Sequence, residues 1–171
     1  SSGLDNGHTG RNFHLHPGTT VGALFPTPIE AWRGIPQSVE CDAFLHPTDP
    51  ERRIWIVPAF AHPAGAAGFL PGVGPEHAHR MRQYRYVAAA YPRRHDQGHG
   101  RVTATRNGHP RIHYRLDPSN AQALAHGVAE TARIWLAAGA LQVIVPWAQP
   151  VVVSSLAEVD ALRNHAVRPL D

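Results

Sequence analysis

The sequence predicts an α+β fold in which helices pack on one face of an antiparallel β-sheet. An Asn-Gly dipeptide at 107–108 is the strongest hairpin signal in the chain, and it joins two β-prone runs, Arg101–Arg106 and Arg111–Leu116. A long segment with an apolar stripe lies between Asp117, a good N-cap residue, and Gly139, a good helix stop. Because the predicted helices do not alternate regularly with strands, a doubly wound parallel sheet is not expected.

Other β-prone runs are bounded by proline, glycine or polar residues, as strands commonly are. They are Thr19–Phe25, Ser38–Leu45, Arg53–Phe60, Val87–Arg93 and Leu141–Val145. Pro58 interrupts the third run and predicts an edge strand or a bulge, because proline cannot donate a ladder hydrogen bond. In Arg111–Leu116, apolar residues alternate with polar ones, which predicts a half-buried strand.

Local signals also predict where the helices begin and which faces they bury. Pro75 occupies a first helical position before Glu76, so we expect a helix over Glu76–Tyr86. Ser155 and Glu158 have the spacing of a capping box and predict a closing helix that ends before Pro169. The long helix should bury a stripe of residues at helical spacing: Leu124, Val128, Thr131, Trp135 and Ala138.

The composition fits one globular domain and excludes several classes of protein. The chain has 171 residues and a formal net charge of +3, and all of its basic residues are arginine. The absence of lysine excludes a P-loop or Schiff-base lysine, and the scattered charges predict no nucleic-acid partner. Cys41 is the single cysteine, which excludes an intrachain disulfide and a cysteine-built metal site. With no membrane-spanning run and a polar N-terminal string, we expect a cytoplasmic location.

Two groups of residues are candidates for a binding site, but the residues themselves define no complete active site. Thirteen histidines include pairs at close spacing, such as His14 with His16, which can present zinc ligands or simply be solvated. An aromatic set could line an apolar pocket or belong to the core: Trp32, Trp55, Phe44, Phe60 and Tyr84. Gly68, Gly72 and Gly74 lack the spacing of a phosphate-binding loop and predict a tight connection.

The segment Gly10–Pro17, read Gly-Arg-Asn-Phe-His-Leu-His-Pro, adds a family resemblance. It resembles the G-x-N-L-x-D-H segment of the glucose–methanol–choline (GMC) family of FAD-dependent oxidoreductases, in the variant common among long-chain alcohol oxidases. Phe13 replaces the leucine of that variant, and Leu15 replaces the acid of the broader motif. Strings along nearly the whole chain agree: Trp32 with Gly34, Gln37–Ser38, Asp42–Phe44, Pro58–Phe60, Arg82–Arg85, Gly98–Arg101 and Tyr114–Pro118.

The resemblance implies a substrate-binding domain in which an antiparallel sheet forms the roof of a site over the flavin. Residues 1–18 would be a seam to a missing FAD-binding domain, and residues 19–171 the substrate-binding domain itself. Asn12, His14 and His16 would bind the cofactor or hold that joint. The glycine motif for the nucleotide and the catalytic histidine of the family have no match here, so we assign no catalytic residue and no metal ligand.

The function implied by the resemblance is a share in FAD-dependent alcohol oxidation. The chain would form the pocket over the flavin for a small apolar alcohol, with FAD present in the parent protein but not retained by the chain alone. The implied partner is the missing FAD-binding domain or chain, with self-association through an exposed seam as a further expectation. The alternatives are a stand-alone small-ligand-binding module and a histidine-rich metal-binding protein without oxidoreductase activity.

Overall fold

An antiparallel sheet of five strands organises the chain. The computed structural model describes residues 6–35, 37–59, 61–97, 99–165 and 167–168. The sheet has the order β2-β3-β1-β6-β7 and consists of β1 (Val21–Leu24), β2 (Trp55–Ala59), β3 (Val87–Arg93), β6 (Gln142–Val145) and β7 (Val151–Val153). A separate hairpin pairs β4 (Arg101–Ala104) with β5 (Pro110–His113). The predicted α+β class with an antiparallel sheet is confirmed.

Four α-helices accompany the sheet in the described part of the chain. They are α1 (Pro63–Ala66), α2 (Gly74–Arg82), α3 (Pro118–Ala137) and α4 (Leu156–Arg163). The 3-10 turns Pro50–Arg52 and Tyr84–Tyr86 complete the regular structure. The helix expected to reach Tyr86 therefore ends earlier, at Arg82, and continues as one of these turns.

The main core lies between one face of the sheet and helices α3 and α4. Alternate strand residues point to this face, so Val21 and Ala23 of β1 meet Val143 and Val145 of β6 beneath the helices. Gly127 lets α3 approach the sheet closely, because a Cβ there would lie 2.9 Å from Ile54 Cγ2. Short helix α1 lies instead over the opposite face, where Ala66 packs with Tyr84 and Val87.

The caps predicted from sequence are present. Asp117 accepts a hydrogen bond from the Ser119 amide at 2.8 Å, and Gly139 ends α3 with φ +94°. The Glu158 carboxylate accepts the Ser155 amide at 3.2 Å, closing the capping box that begins α4. These contacts span only a few residues, which explains why the sequence alone could predict them.

Two predictions about strands differ from the structure, and one strand has no prediction. Ser38–Leu45 forms only an isolated bridge between Cys41 and Ile56, because a turn follows at Asp42, whose carbonyl accepts the Leu45 amide. The β4–β5 hairpin is not half-buried: it is a separate sheet, and Ile112 is 58% exposed. Strand β7 was not predicted. By contrast, β2 is an edge strand of the five-stranded sheet, as Pro58 indicated.

The described part of the N-terminal segment is hydrogen-bonded to the rest of the domain. Phe13 and Gly100 exchange two backbone hydrogen bonds of 2.9 and 2.8 Å, and the Gly10 carbonyl accepts the Val102 amide at 2.7 Å. Further along, the Pro17 carbonyl accepts the Arg94 amide at 2.9 Å. Residues 10–18 therefore follow the hairpin and then the end of β3.

No helix in the described ranges is long and apolar enough to cross a membrane.

Candidate ligand cavity on the sheet

A cavity of about 420 Å³ lies on the face of the sheet opposite α3 and α4. Its floor is a row of small residues that are neighbours across adjacent strands: Gly22 pairs with Ala89, and Ala89 pairs with Ala59. Ile144, the partner of Gly22 on β6, continues the row. Because these side chains are so short, the sheet surface there is left open instead of being filled by its own side chains.

The backbone conformation of β1 does not require a glycine at position 22; what Gly22 provides is space. Its φ does not lie in the left-handed region, and a Cβ added there would meet nothing closer than the Ile144 carbonyl oxygen, at 3.7 Å. A larger side chain at this position would extend into the cavity. The glycine therefore contributes volume to the cavity, at the expense of strand stability.

One wall of the cavity comes from the segment around α1 and the turn before β3. The Tyr84 ring stacks on Trp32 with centroids 5.5 Å apart, and the Tyr84 hydroxyl donates to the Ala61 carbonyl. Burial raises the pKa of Tyr84, so it remains a neutral donor. Phe69, which is 61% exposed, stands at the edge of this wall. The wall is thus aromatic and apolar, with its polar atoms already hydrogen-bonded.

The other end of the cavity is cationic. Arg93 lines it, and its guanidinium carbon lies 5.5 Å from the Trp55 ring and 5.2 Å from the Tyr91 ring. Gly18 packs on Tyr91 so closely that a Cβ would lie 2.4 Å from Tyr91 Cε1. The N-terminal segment therefore packs against Tyr91, which lines this end of the cavity.

His16, one of the three predicted cofactor-binding residues, lies near Arg93 and Trp55 but is not among the residues that line the cavity. Its ring centroid is 6.3 Å from that of Trp55. Burial lowers the pKa of His16, and the positive charges of Arg93 and His95 lower it further. The His16 imidazole is therefore held neutral beside a permanent cation.

The other two predicted cofactor-binding residues lie further back on the same segment. The Asn12 side chain is exposed, and its backbone has φ +55°. His14 Nδ1 lies 3.8 Å from Asp96 Oδ2, and the His14 ring packs edge-on against His99 with centroids 5.6 Å apart. The structure thus places the predicted residues along one edge of the domain. Their contact with a cofactor stays a prediction.

A buried polar network that sequence reasoning missed holds this edge in place. Asn120 is fully buried; its Oδ1 accepts from Arg94 Nε at 2.6 Å, and its Nδ2 donates to Asp96 Oδ1 at 2.7 Å. Asp96 Oδ2 in turn accepts the Leu15 amide at 3.1 Å, and Arg94 also donates to the Glu51 carbonyl. The N-terminal segment, the end of β3 and the start of α3 are therefore joined through charged hydrogen bonds.

The aromatic residues proposed as pocket or core divide between the two roles. Tyr84 lines the cavity, Trp32 supports it, and Trp55 holds Arg93 at its cationic end. Phe44 packs against the core that includes Ile54, on the helix side. Phe60 lies outside the described residues.

The remaining candidates from the sequence form no further site. Among the residues that the structure describes, no group of three or more histidine, cysteine, aspartate or glutamate side chains could hold a metal ion. In the glycine segment, Gly72 has φ +95° and a Cβ there would lie 2.9 Å from Glu76 Cδ. This glycine therefore serves a tight connection into α2, as the sequence suggested.

Fold and cavity together define the chain as an α+β domain with an apolar cavity on one face of its antiparallel sheet. The chain matches no family model. It is 32% identical to an uncharacterized GMC-type oxidoreductase of Mycobacterium tuberculosis, over 99% of this chain and 26% of that protein. It is 28% identical to a long-chain-alcohol oxidase of Arabidopsis thaliana, over 84% of this chain and 19% of that protein.

The chain is therefore a relative of one segment of GMC-type oxidoreductases, and the resemblance predicted from Gly10–Pro17 is confirmed. It spans about a quarter or less of the length of the curated relatives it matches.

Proposed function

We propose that the chain forms the substrate-binding portion of an FAD-dependent GMC alcohol oxidase or dehydrogenase. The observation that carries this proposal is the cavity floored by Gly22, Ala89 and Ala59, on the sheet face not covered by α3 and α4. Its volume of about 420 Å³ lies within the usual range for small-molecule sites. The apolar walls favour a small apolar alcohol over a sugar, because they offer few hydrogen-bond partners to a polyol.

This function requires FAD as its cofactor. The residues of this chain fit a contact with FAD but not the binding of its pyrophosphate. The sequence has no G-x-G-x-x-G motif to cradle a pyrophosphate. The exposed edge carrying Asn12, His14 and His16 fits a contact with a cofactor held by another domain or chain. When bound, FAD supplies the hydride acceptor for alcohol oxidation.

The chain's own residues would position the alcohol and exclude water. The small floor and the Tyr84 wall receive the apolar part of the substrate and desolvate it. His16 stays neutral near Arg93, so it can accept or donate one hydrogen bond at the seam. We assign no proton-transfer step to any residue of this chain.

The proposed partner is the FAD-bearing part of the same enzyme, which would cover the edge formed by residues 6–18. Leu15 is 46% exposed there, and in this proposal it is one of the residues that the FAD-bearing part would cover. A second copy of the chain is the competing occupant. Analytical ultracentrifugation of the chain alone, and then with the FAD-bearing part, distinguishes them. The cytoplasmic location likewise stays a prediction.

Filling the cavity tests the proposal directly. Gly22→Phe places a ring in the cavity and should abolish the binding of 1-decanol measured by calorimetry. Val152→Phe is the matched control, because Val152 lies on edge strand β7, is 43% exposed and does not line the cavity. Equal decanol binding by both variants would contradict the site.

The alternative function is a stand-alone ligand-binding module, which the same cavity would also suit. Expression together with the sequence that flanks the chain in its gene separates the two. The proposed oxidoreductase shows a flavin absorbance spectrum that decanol bleaches in the absence of oxygen. A protein that binds decanol but copurifies with no flavin would support the module instead.

A further inference from the structure

The cavity has a strong charge asymmetry. Among its described lining residues Arg93 alone carries a charge; the others are apolar or neutral, including Gly22, Ala89 and Leu70. An alcohol with a purely apolar body needs no cation in its pocket. The position of Arg93 therefore calls for an explanation that the proposed alcohol oxidation does not by itself provide.

Arg93 also lacks an anionic partner within the described part of the chain. Arg85 pairs with Glu30 and Arg133 pairs with Asp160, whereas no carboxylate lies within salt-bridge distance of Arg93. Its Nε is buried and has no hydrogen-bond acceptor. The described residues thus give the guanidinium no counter-charge, and a carboxylate that reaches its terminal N–H groups would gain charge-assisted hydrogen bonds.

The guanidinium is already held in position for such a ligand. Trp55 and Tyr91 lie 5.5 and 5.2 Å from its carbon, and rings at these distances attract the cation through their faces. Stacking restricts the side chain while leaving its in-plane N–H groups to donate. A planar fork of donors in this state suits a carboxylate, which it can bind through two parallel hydrogen bonds.

We propose that the cavity binds an amphipathic carboxylate, with its aliphatic chain over the floor of Gly22, Ala89 and Ala59 and its carboxylate on Arg93. The inference rests on the proposed function for one further step: the alcohol oxidised is one that also bears an anionic group, such as a hydroxy acid with an apolar chain. Arg93 is then the residue that determines specificity at this end of the cavity.

Calorimetric titration of the chain with decanoate and with 1-decanol, at about pH 8 where the carboxyl group is ionised, tests the proposal. We expect decanoate to bind about tenfold more tightly than decanol, which corresponds to about 1.4 kcal/mol. Arg93→Gln should remove this preference, measured as the ratio of the two affinities in the same variant. Arg93→Lys, which keeps the charge but loses the fork, should retain part of it.

Controls separate the inference from loss of fold and from failure of the proposed function. Arg101→Gln removes an exposed arginine of the hairpin and should leave both affinities unchanged, and thermal unfolding by circular dichroism verifies that each variant folds. If decanol binds and Gly22→Phe blocks it, but decanoate gains nothing from Arg93, the carboxylate inference is wrong while the cavity stands. If neither ligand binds, both are wrong.

A parallel titration with FAD distinguishes the other source of an anion, the cofactor pyrophosphate. Binding of FAD that is lost in Arg93→Gln, without any preference for decanoate, would assign Arg93 to the cofactor and overturn the proposal. Preference for decanoate in the absence of FAD supports it.

Discussion

Removing the amide of Asn120 should strongly destabilise the fold, because this side chain connects two buried charges. Arg94 and Asp96 are 2% and 3% exposed, and Asn120 bonds one of them at each end, at 2.6 and 2.7 Å. Asn120→Ala deletes two hydrogen bonds to charged groups, each contributing about 1.5–3 kcal/mol. We therefore expect a loss of about 3–5 kcal/mol in the free energy of unfolding, a large part of the total for one domain.

Urea denaturation measures this loss, and amide hydrogen exchange locates it. The Leu15 amide donates to Asp96. In Asn120→Ala its exchange should therefore accelerate more than that of amides that exchange only through global unfolding. Gln122→Ala is the matched control: it removes an exposed amide from the same helix and should change stability by less than about 0.5 kcal/mol. If the two variants lose equal stability, the network does not hold this edge of the domain.

Three further outcomes follow from local geometry and charge. Gly22→Ala should stabilise the domain by up to about 1 kcal/mol in urea denaturation, because there is room for the added Cβ. Gly127→Ala should destabilise it by about 1 kcal/mol, because the added Cβ would lie 2.9 Å from Ile54. The opposite order of stabilities would refute the packing described. Burial and the nearby Asp96 carboxylate raise the pKa of Tyr114 to about 12, above its unfolded value near 10. Its stabilising contribution is therefore complete below about pH 10 and is lost as the pH rises through 12, which pH-dependent unfolding of wild type and Tyr114→Phe should show; identical alkaline profiles would contradict it. In Arg93→Gln, the pKa of His16 should rise but stay below its ordinary value, because burial, the larger cause, remains; a proton NMR titration that shows no shift would place Arg93 elsewhere.

The ends of α3, the start of α4 and the hairpin turn could be predicted because the residues that determine them are close in sequence. Asp117 caps α3 through the amide two residues later, and Ser155 and Glu158 cap α4 within one turn. Gly108 adopts φ +80° in the turn that the Asn-Gly dipeptide predicted. Strand β3 spans the predicted residues, Val87–Arg93.

The secondary-structure predictions were wrong where the conformation of a segment depends on residues distant in sequence. Ser38–Leu45 is β-prone, but it makes only the bridge from Cys41 to Ile56 and then turns. Val151–Val153 becomes a strand because β6 offers it a free edge, with Val153 opposite Val143. Ile112 is exposed because the hairpin forms its own sheet. Hydrophobic periodicity and β-propensity do not indicate which surface a strand will pack against.

The sequence by itself determined the fold class, the caps and the family resemblance of the Gly10–Pro17 segment. Only the tertiary structure decided the site, and adjacent arginines show why. Strand alternation directs Arg93 to the open face, where it lines the cavity, and Arg94 to the helix side, where Asn120 receives it. In the sequence they are simply two adjacent arginines. Their different roles depend on partners distant in sequence, Trp55 for Arg93 and Asn120 for Arg94, whose positions are set by how the strands and α3 pack together.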